Sequence, residues 1–319
     1  MTQLGRILAA GTAALLGACV DGQGPTFRNP GPEQASLDRA AHLSYLLSYP
    51  FAETCPPEPP GHRIAPEEVA ALLATTPEPS VTWIGHATVL IRLDGLTILT
   101  DPVFADDISP LGAMGPCRFA PAGLALADLP PVDVVLVSHD HYDHFEPASI
   151  RWLAGRNRLL CLLPLGVGTE LWPLGCAETR HLDWGDTVVH AGVELTFLPA
   201  QHWSGRGLFG VDRTLWGSFA IRGEEASIYF AGDTGYGPHL EEIGRSHGPF
   251  DLALLPIGAY APVEVYRPVH MTPEDALRAL ADLRARDMLP VHWGTFALGA
   301  ELPLEPTERL ADGARTAGI

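Results

Sequence analysis

Ser138-His139-Asp140-His141-Tyr142-Asp143-His144 decides the reading of this chain. Three imidazoles and two carboxylates within six residues cannot all pack into a core, and a merely solvated loop is rarely so rich in histidine. Imidazole and carboxylate donors suit zinc and other borderline divalent ions. The preceding run, 132–137, is continuously apolar, the signature of a buried strand, so the motif opens a loop at a strand's C-terminal end. His139 and His141 alternate and can point one way. Asp143 and His144 follow the turn and can face a second ion.

Further out, three more strand ends carry the same donor types. They are Pro199-Ala200-Gln201-His202, Phe230-Ala231-Gly232-Asp233 and Val291-His292-Trp293. Short β-rich runs at 81–84, 88–92 and 97–100 predict an antiparallel meander. Strands are further expected at 158–163, 193–198, 216–222, 227–231, 252–257 and 289–292. Helices are expected at 147–154, 167–174, 239–246 and 306–317. The best one, 272–286, has Thr272 as cap, Pro273 in the first turn, then Glu274 and Asp275. This mixture is an α+β pattern, and two facing, mostly antiparallel sheets with helices outside would satisfy it. Residues 19–80 read as a tether and an N-terminal arm with a short helix around 34–47, and 81–319 as the main domain that carries the histidine motif.

The 319 residues include 38 acidic and 20 basic ones, a formal net charge of −18, with 46% hydrophobic residues. That composition excludes a disordered chain and disfavours a nucleic-acid partner, which wants a basic stripe. Every basic residue is Arg, which removes lysine Schiff-base chemistry. The N-terminus, 1–18, has a charged start and a short apolar run, too short to span a membrane, and reads as a secretory signal. It ends in Leu16-Gly17-Ala18-Cys19, which resembles a bacterial lipobox; Cys19 is then the acylated residue. The expected place is the cell envelope, lipid-anchored in the outer membrane and facing the periplasm. Cys55, Cys117, Cys161 and Cys176 remain, and their three possible pairings, or none, stay open.

The His-x-His-x-Asp-His pattern with the three later positions resembles the metallo-β-lactamase superfamily. The stretches Trp83-Ile84-Gly85-His86-Ala87-Thr88, Leu215-Trp216-Gly217-Ser218-Phe219 and Leu255-Pro256-Ile257-Gly258-Ala259-Tyr260 look like the N-acyl-phosphatidylethanolamine-hydrolysing phospholipase D family. The resemblance implies an αββα sandwich and two divalent ions, zinc by preference, about 3.5–4 Å apart with a metal-bound hydroxide as nucleophile. It assigns His139, His141 and His202 to the first ion, Asp143, His144 and His292 to the second, and Asp233 as the bridge. Asp143 and His270 are its catalytic residues, His270 through substrate phosphate or leaving group, or else by orienting a ligand from behind. The substrate implied is a phospholipid phosphodiester, cleaved to phosphatidic acid and a fatty acylethanolamide. A lactonase or β-lactamase-like amide hydrolase is the competing enzyme reading, and a non-catalytic metal-binding lipoprotein the reading of another class.

A phosphodiester calls for cationic contacts, and Arg206, Arg213 and Arg267 are available; Arg267, three residues before His270, is the expected phosphate contact. The stretch 260–266 departs from the family at the rim of the pocket. His86 and Asp101 are expected to orient ligands. Trp203, Trp216 and Trp293 are expected to pack beside the site.

Overall fold

The computed structural model describes residues 26–30, 37–48, 55–109, 115–168, 173–206 and 210–319. The signal at 1–18 and Cys19 lie outside the described residues.

Among the described residues, twelve strands form two six-stranded sheets. The first runs β1 (Ser80–Gly85), β2 (Thr88–Leu93), β3 (Leu96–Thr100), β4 (Val134–Leu136), β5 (Leu160–Pro164) and β6 (Glu178–Leu182) in spatial order. The second contains β7 (Thr187–His190), β8 (Val193–Leu198), β9 (Ser218–Arg222), β10 (Ser227–Phe230), β11 (Phe250–Pro256) and β12 (Ala285–Val291), in the order β12-β11-β10-β9-β8-β7. Both sheets are mixed. The meander β1-β2-β3 and the run β7-β8-β9-β10 are antiparallel, whereas β3-β4-β5-β6 and β10-β11-β12 are parallel. The expectation of mostly antiparallel sheets is corrected to that extent. Helices lie in the β4-β5, β10-β11 and β11-β12 crossovers, and such crossovers put helices on the outer faces.

Alternation along the strands builds the layers. Val89, Ile91, Val134, Leu136 and Leu162 meet Leu195, Phe197, Phe219, Ile228 and Phe230 between the sheets. Their neighbours Leu90, Leu99, Val135 and Leu163 face out against Ile150 and Leu153 of α3 (Pro147–Ala154) and Val69 of α2 (Pro66–Thr75), the helix that follows α1 (Arg39–Ser48). On the other side Tyr229, Ala253 and Leu255 meet Leu240 and Ile243 of α4 (Pro238–Ser246) and Ala276, Ala279 and Leu280 of α6 (Pro273–Asp282), the helix after α5 (Val263–Tyr266). The chain closes with α7 (Glu305–Ala317). Strands buried on both faces read as unbroken apolar runs because both residue sets must leave water.

Thr272 caps α6 by accepting the Asp275 N–H at 3.2 Å. That helix stops at Asp282, four residues before the expected end. Arg284 takes a left-handed backbone (φ 57), and Ala285 onward is captured by β11 as a parallel strand. No helix is formed by the described part of 167–174. The cysteines pair as Cys55–Cys117 and Cys161–Cys176.

Candidate metal centre

The four donor-bearing segments follow β4, β8, β10 and β12 directly, and the sandwich brings those strand ends to one edge. Gly232 is required there by close approach. It has φ 57, and a Cβ would lie 2.5 Å from Cβ of Ser138, so only glycine lets the β10 turn press against the histidine loop.

All seven expected ligands converge and are buried or nearly so. In the first group His139 Nε2 lies 2.8 Å from His141 Nδ1, which lies 3.2 Å from His202 Nε2. In the second, Asp143 Oδ2 is 3.3 Å from both His144 Nε2 and His292 Nε2. Asp233 Oδ2 stands between the groups, 3.2 Å from His144, 3.0 Å from His292 and 3.8 Å from His202.

Hydrogen-bond bookkeeping shows that this donor set fits cations. The Nδ1–H of His202 donates to the Val269 carbonyl at 2.9 Å, so its Nε2 is bare when the ring is neutral. Ser138 Oγ donates to Asp101 Oδ2 at 2.6 Å and takes the His139 Nδ1–H at 2.9 Å, which bares His139 Nε2. Two bare nitrogens therefore face His141 Nδ1, which has at most one proton to give. His144 Nδ1 donates to Asp101 Oδ2 at 2.6 Å, so its Nε2 also faces carboxylates without a proton in the neutral ring. His144 Nε2, Asp233 Oδ1 and His270 Nδ1 are buried without hydrogen-bond partners. Divalent cations would supply the positive charge these atoms lack.

Electrostatics divide the two groups in the same way. Burial lowers His139 well below the ordinary imidazole range and brings His141 and His202 to about 3. Burial also opposes charge on His144 and His292, but the Asp233 and Asp143 carboxylates prevail. They hold His144 well above its usual value and His292 at about 9. Those carboxylates are in turn held well below theirs against burial, chiefly by His144. A cation bound among these atoms would take the place of protons on His144 and His292 as the partner of the carboxylates.

His86 and Asp101 act as the sequence suggests. His86 Nε2 lies 2.9 Å from Asp143 Oδ2, and Asp101 also accepts the Ser138 N–H at 2.7 Å. His86, Asp101 and His292 all adopt left-handed backbones, a strain that clusters at functional sites. His270 joins the cluster with Nδ1 3.8 Å from Asp233 Oδ2. Trp203 packs on His141 with centroids 4.2 Å apart, Trp293 stacks on Trp83, and Trp216 is buried.

The arginines are placed differently from expectation. Arg267 pairs with Asp275 through two hydrogen bonds of 3.1 and 3.2 Å at the first turn of α6, instead of facing the donors. A buried carboxylate at a helix start is the stronger partner for it. Arg267→Ala should therefore leave metal content and kcat/KM near parental values. The exposed guanidinium contributes at most about 1 kcal/mol of stability, and Arg278 still pairs with Asp275. A kcat/KM loss above tenfold would restore the phosphate role. Arg206 is turned inward as well. It donates to the carbonyls of Asp140 at 2.7 Å and Phe145 at 2.8 Å and lies over the Tyr142 ring, bracing the histidine loop.

Residues 97–293 match a family model described as a β-lactamase superfamily domain. An uncharacterized protein of Mycobacterium tuberculosis is 44% identical over 236 residues, 72% of this chain and 63% of its own length, so this chain spans under two thirds of that relative. N-acyl-phosphatidylethanolamine-hydrolyzing phospholipase D 1 of Caenorhabditis elegans is 39% identical over 243 residues, 72% of this chain and 68% of that protein. Among solved structures, an isothiocyanate hydrolase from Delia radicum gut bacteria aligns with a TM-score of 0.59 at 22% identity, covering 75% of this chain and 92% of that one. That likeness supports the fold.

Proposed function

The chain belongs to the β-lactamase superfamily, with the metallo-β-lactamase fold of its metal-dependent hydrolases, and within it we propose a dinuclear zinc hydrolase cleaving phosphodiesters of phospholipids such as N-acyl-phosphatidylethanolamine. The observation that carries this reading is the convergence of seven imidazole and carboxylate donors at one sheet edge. The substrate class rests on the likeness to the worm phospholipase D.

His139, His141 and His202 would hold one ion, Asp143, His144 and His292 the other, with Asp233 serving both. Bound there, such ions supply Lewis acidity and make water a nucleophile at neutral pH. The chain's own residues do the rest. Asp101 and Ser138 fix the rings of His144 and His139 so that their second nitrogens face the centre. Val269 does the same for His202. His270, buried beside Asp233 with Nδ1 unpartnered, is placed to hydrogen-bond a substrate phosphoryl oxygen or the leaving group. No protein nucleophile is required.

Metal-loaded protein offered a panel of N-acyl-phosphatidylethanolamine, other phosphodiesters, lactones and β-lactams tests this. Release of phosphatidic acid is expected. Turnover confined to lactones or β-lactams would replace the substrate class and leave the metal chemistry standing.

The anchor is part of the same proposal. Acylation at Cys19 would hold the enzyme on the envelope beside bilayer substrates at high effective concentration, and two disulfides suit an oxidising compartment. Cys19→Ser should move the protein from the membrane fraction to the soluble one. Unchanged, detergent-requiring association would put the anchor elsewhere.

A further inference from the structure

The segment ahead of the sandwich reaches into the metal centre. Phe27 donates its backbone N–H to the Asp212 carbonyl at 2.8 Å, which lays residues 26–30 along the loop that follows His202. Two residues on, Asn29 Oδ1 accepts the backbone N–H of His202 at 2.8 Å and the indole N–H of Trp216 at 3.1 Å. Trp216 has a second acceptor in the Ala200 carbonyl at 3.0 Å. The acceptor for the His202 N–H is Asn29, and His202 is buried. A buried backbone donor without a partner is something native structures avoid.

The other hold on His202 depends on the same arm. Its ring is fixed by the Val269 carbonyl, and Val269 is packed by Leu37 and Tyr266 in one small buried cluster. Arg39, at the start of α1, pairs with Asp212, whose backbone also bonds to Ser204. His42 sits edge-on to both Trp203 and Tyr266, with centroids 5.9 and 5.4 Å away. Residues 27, 29, 37, 39 and 42 thus grip His202 itself, Trp203, Asp212 and the segment 266–269 that fixes the His202 ring.

We propose that Asn29 is a positioning residue for His202, and that the N-terminal arm is a working part of the first ion site. The proposal rests on the two-ion reading given above. An asparagine oxygen on a ligand's own backbone fixes where that ligand's Cα sits. Loss of such outer contacts typically lowers metal affinity by about 10–100-fold.

Three variants test it. Asn29→Ala removes the acceptor, Asn29→Leu removes it while keeping the bulk, and Asn29→Asp keeps an oxygen in place. Zinc affinity is measured against a chromogenic chelator, and amide exchange is followed by mass spectrometry on the peptide spanning His202. Asn29→Ala and Asn29→Leu should weaken the first ion about 10–100-fold, leave the second near parental, and speed exchange at His202. Asn29→Asp should return both readouts to parental values. If Asn29→Ala does not fold, Asn29→Leu and Asn29→Asp carry the comparison. Parental affinity and exchange in the variants without the acceptor would overturn the proposal, as would equal weakening of both ions. A parent that binds fewer than two ions would overturn the dinuclear reading instead, while the exchange at His202 still decides the role of Asn29.

Discussion

Asp233→Asn should lose one of two bound ions and about a hundred- to thousandfold in kcat/KM, the size of effect that follows removal of one preorganised electrostatic group from a buried site. The carboxylate is almost fully buried, and Oδ2 lies 3.0–3.8 Å from the imidazoles of His144, His202, His270 and His292. Its charge is the common counterweight to both halves of the centre. An amide keeps the shape and removes the charge. Its N–H2 end has no lone pair with which to ligate a cation. Elemental analysis with kinetics on the reconstituted variant checks this, and near-normal turnover with both ions retained would refute the bridging role.

The second large effect is expected at a residue that touches no ion. Asp101 and His144 are fully buried, and the Asp101 carboxylate accepts from His144 Nδ1, Ser138 Oγ and Ser138 N. Asp101→Ala orphans all three donors at once. Breaking a buried charged pair by removing one partner costs about 3–5 kcal/mol, and the loss of ring orientation should weaken the second ion about 10–100-fold. Thermal unfolding with zinc titration measures both. Asp101→Asn should fall between, since an amide oxygen can still serve one of the donors. A parental unfolding midpoint and parental zinc affinity in Asp101→Ala would show that Ser138 and His144 are held by something else.

What the chain discloses before folding depends on how local the cause is. The inner strands are legible because β4 and β5 are buried on both faces and leave unbroken apolar runs. The metal ligands are legible because their chemistry excludes most other uses, and each lies just past the end of a strand. The edge strand β6 is not, since four of its five residues are exposed and its sequence, Glu178-Thr179-Arg180-His181-Leu182, carries no apolar pattern. The helix α2 had a signal that could have found it, Pro66 followed by Glu67 and Glu68 at its first turn. The early end of α6 is set by strand pairing with β11, which no local propensity reports. The arginines mislead for the same reason. Arg206 and Arg267 are near the site in sequence, and their partners are fixed only when the loops close. Asn29 is the extreme case, because its contact with His202 spans 173 residues.

The central claim is that one sheet edge holds two ions. Elemental analysis of the purified chain, reconstituted with zinc and desalted, measures it directly. Two ions per chain are expected from the seven converging donors, and one or none would contradict the account.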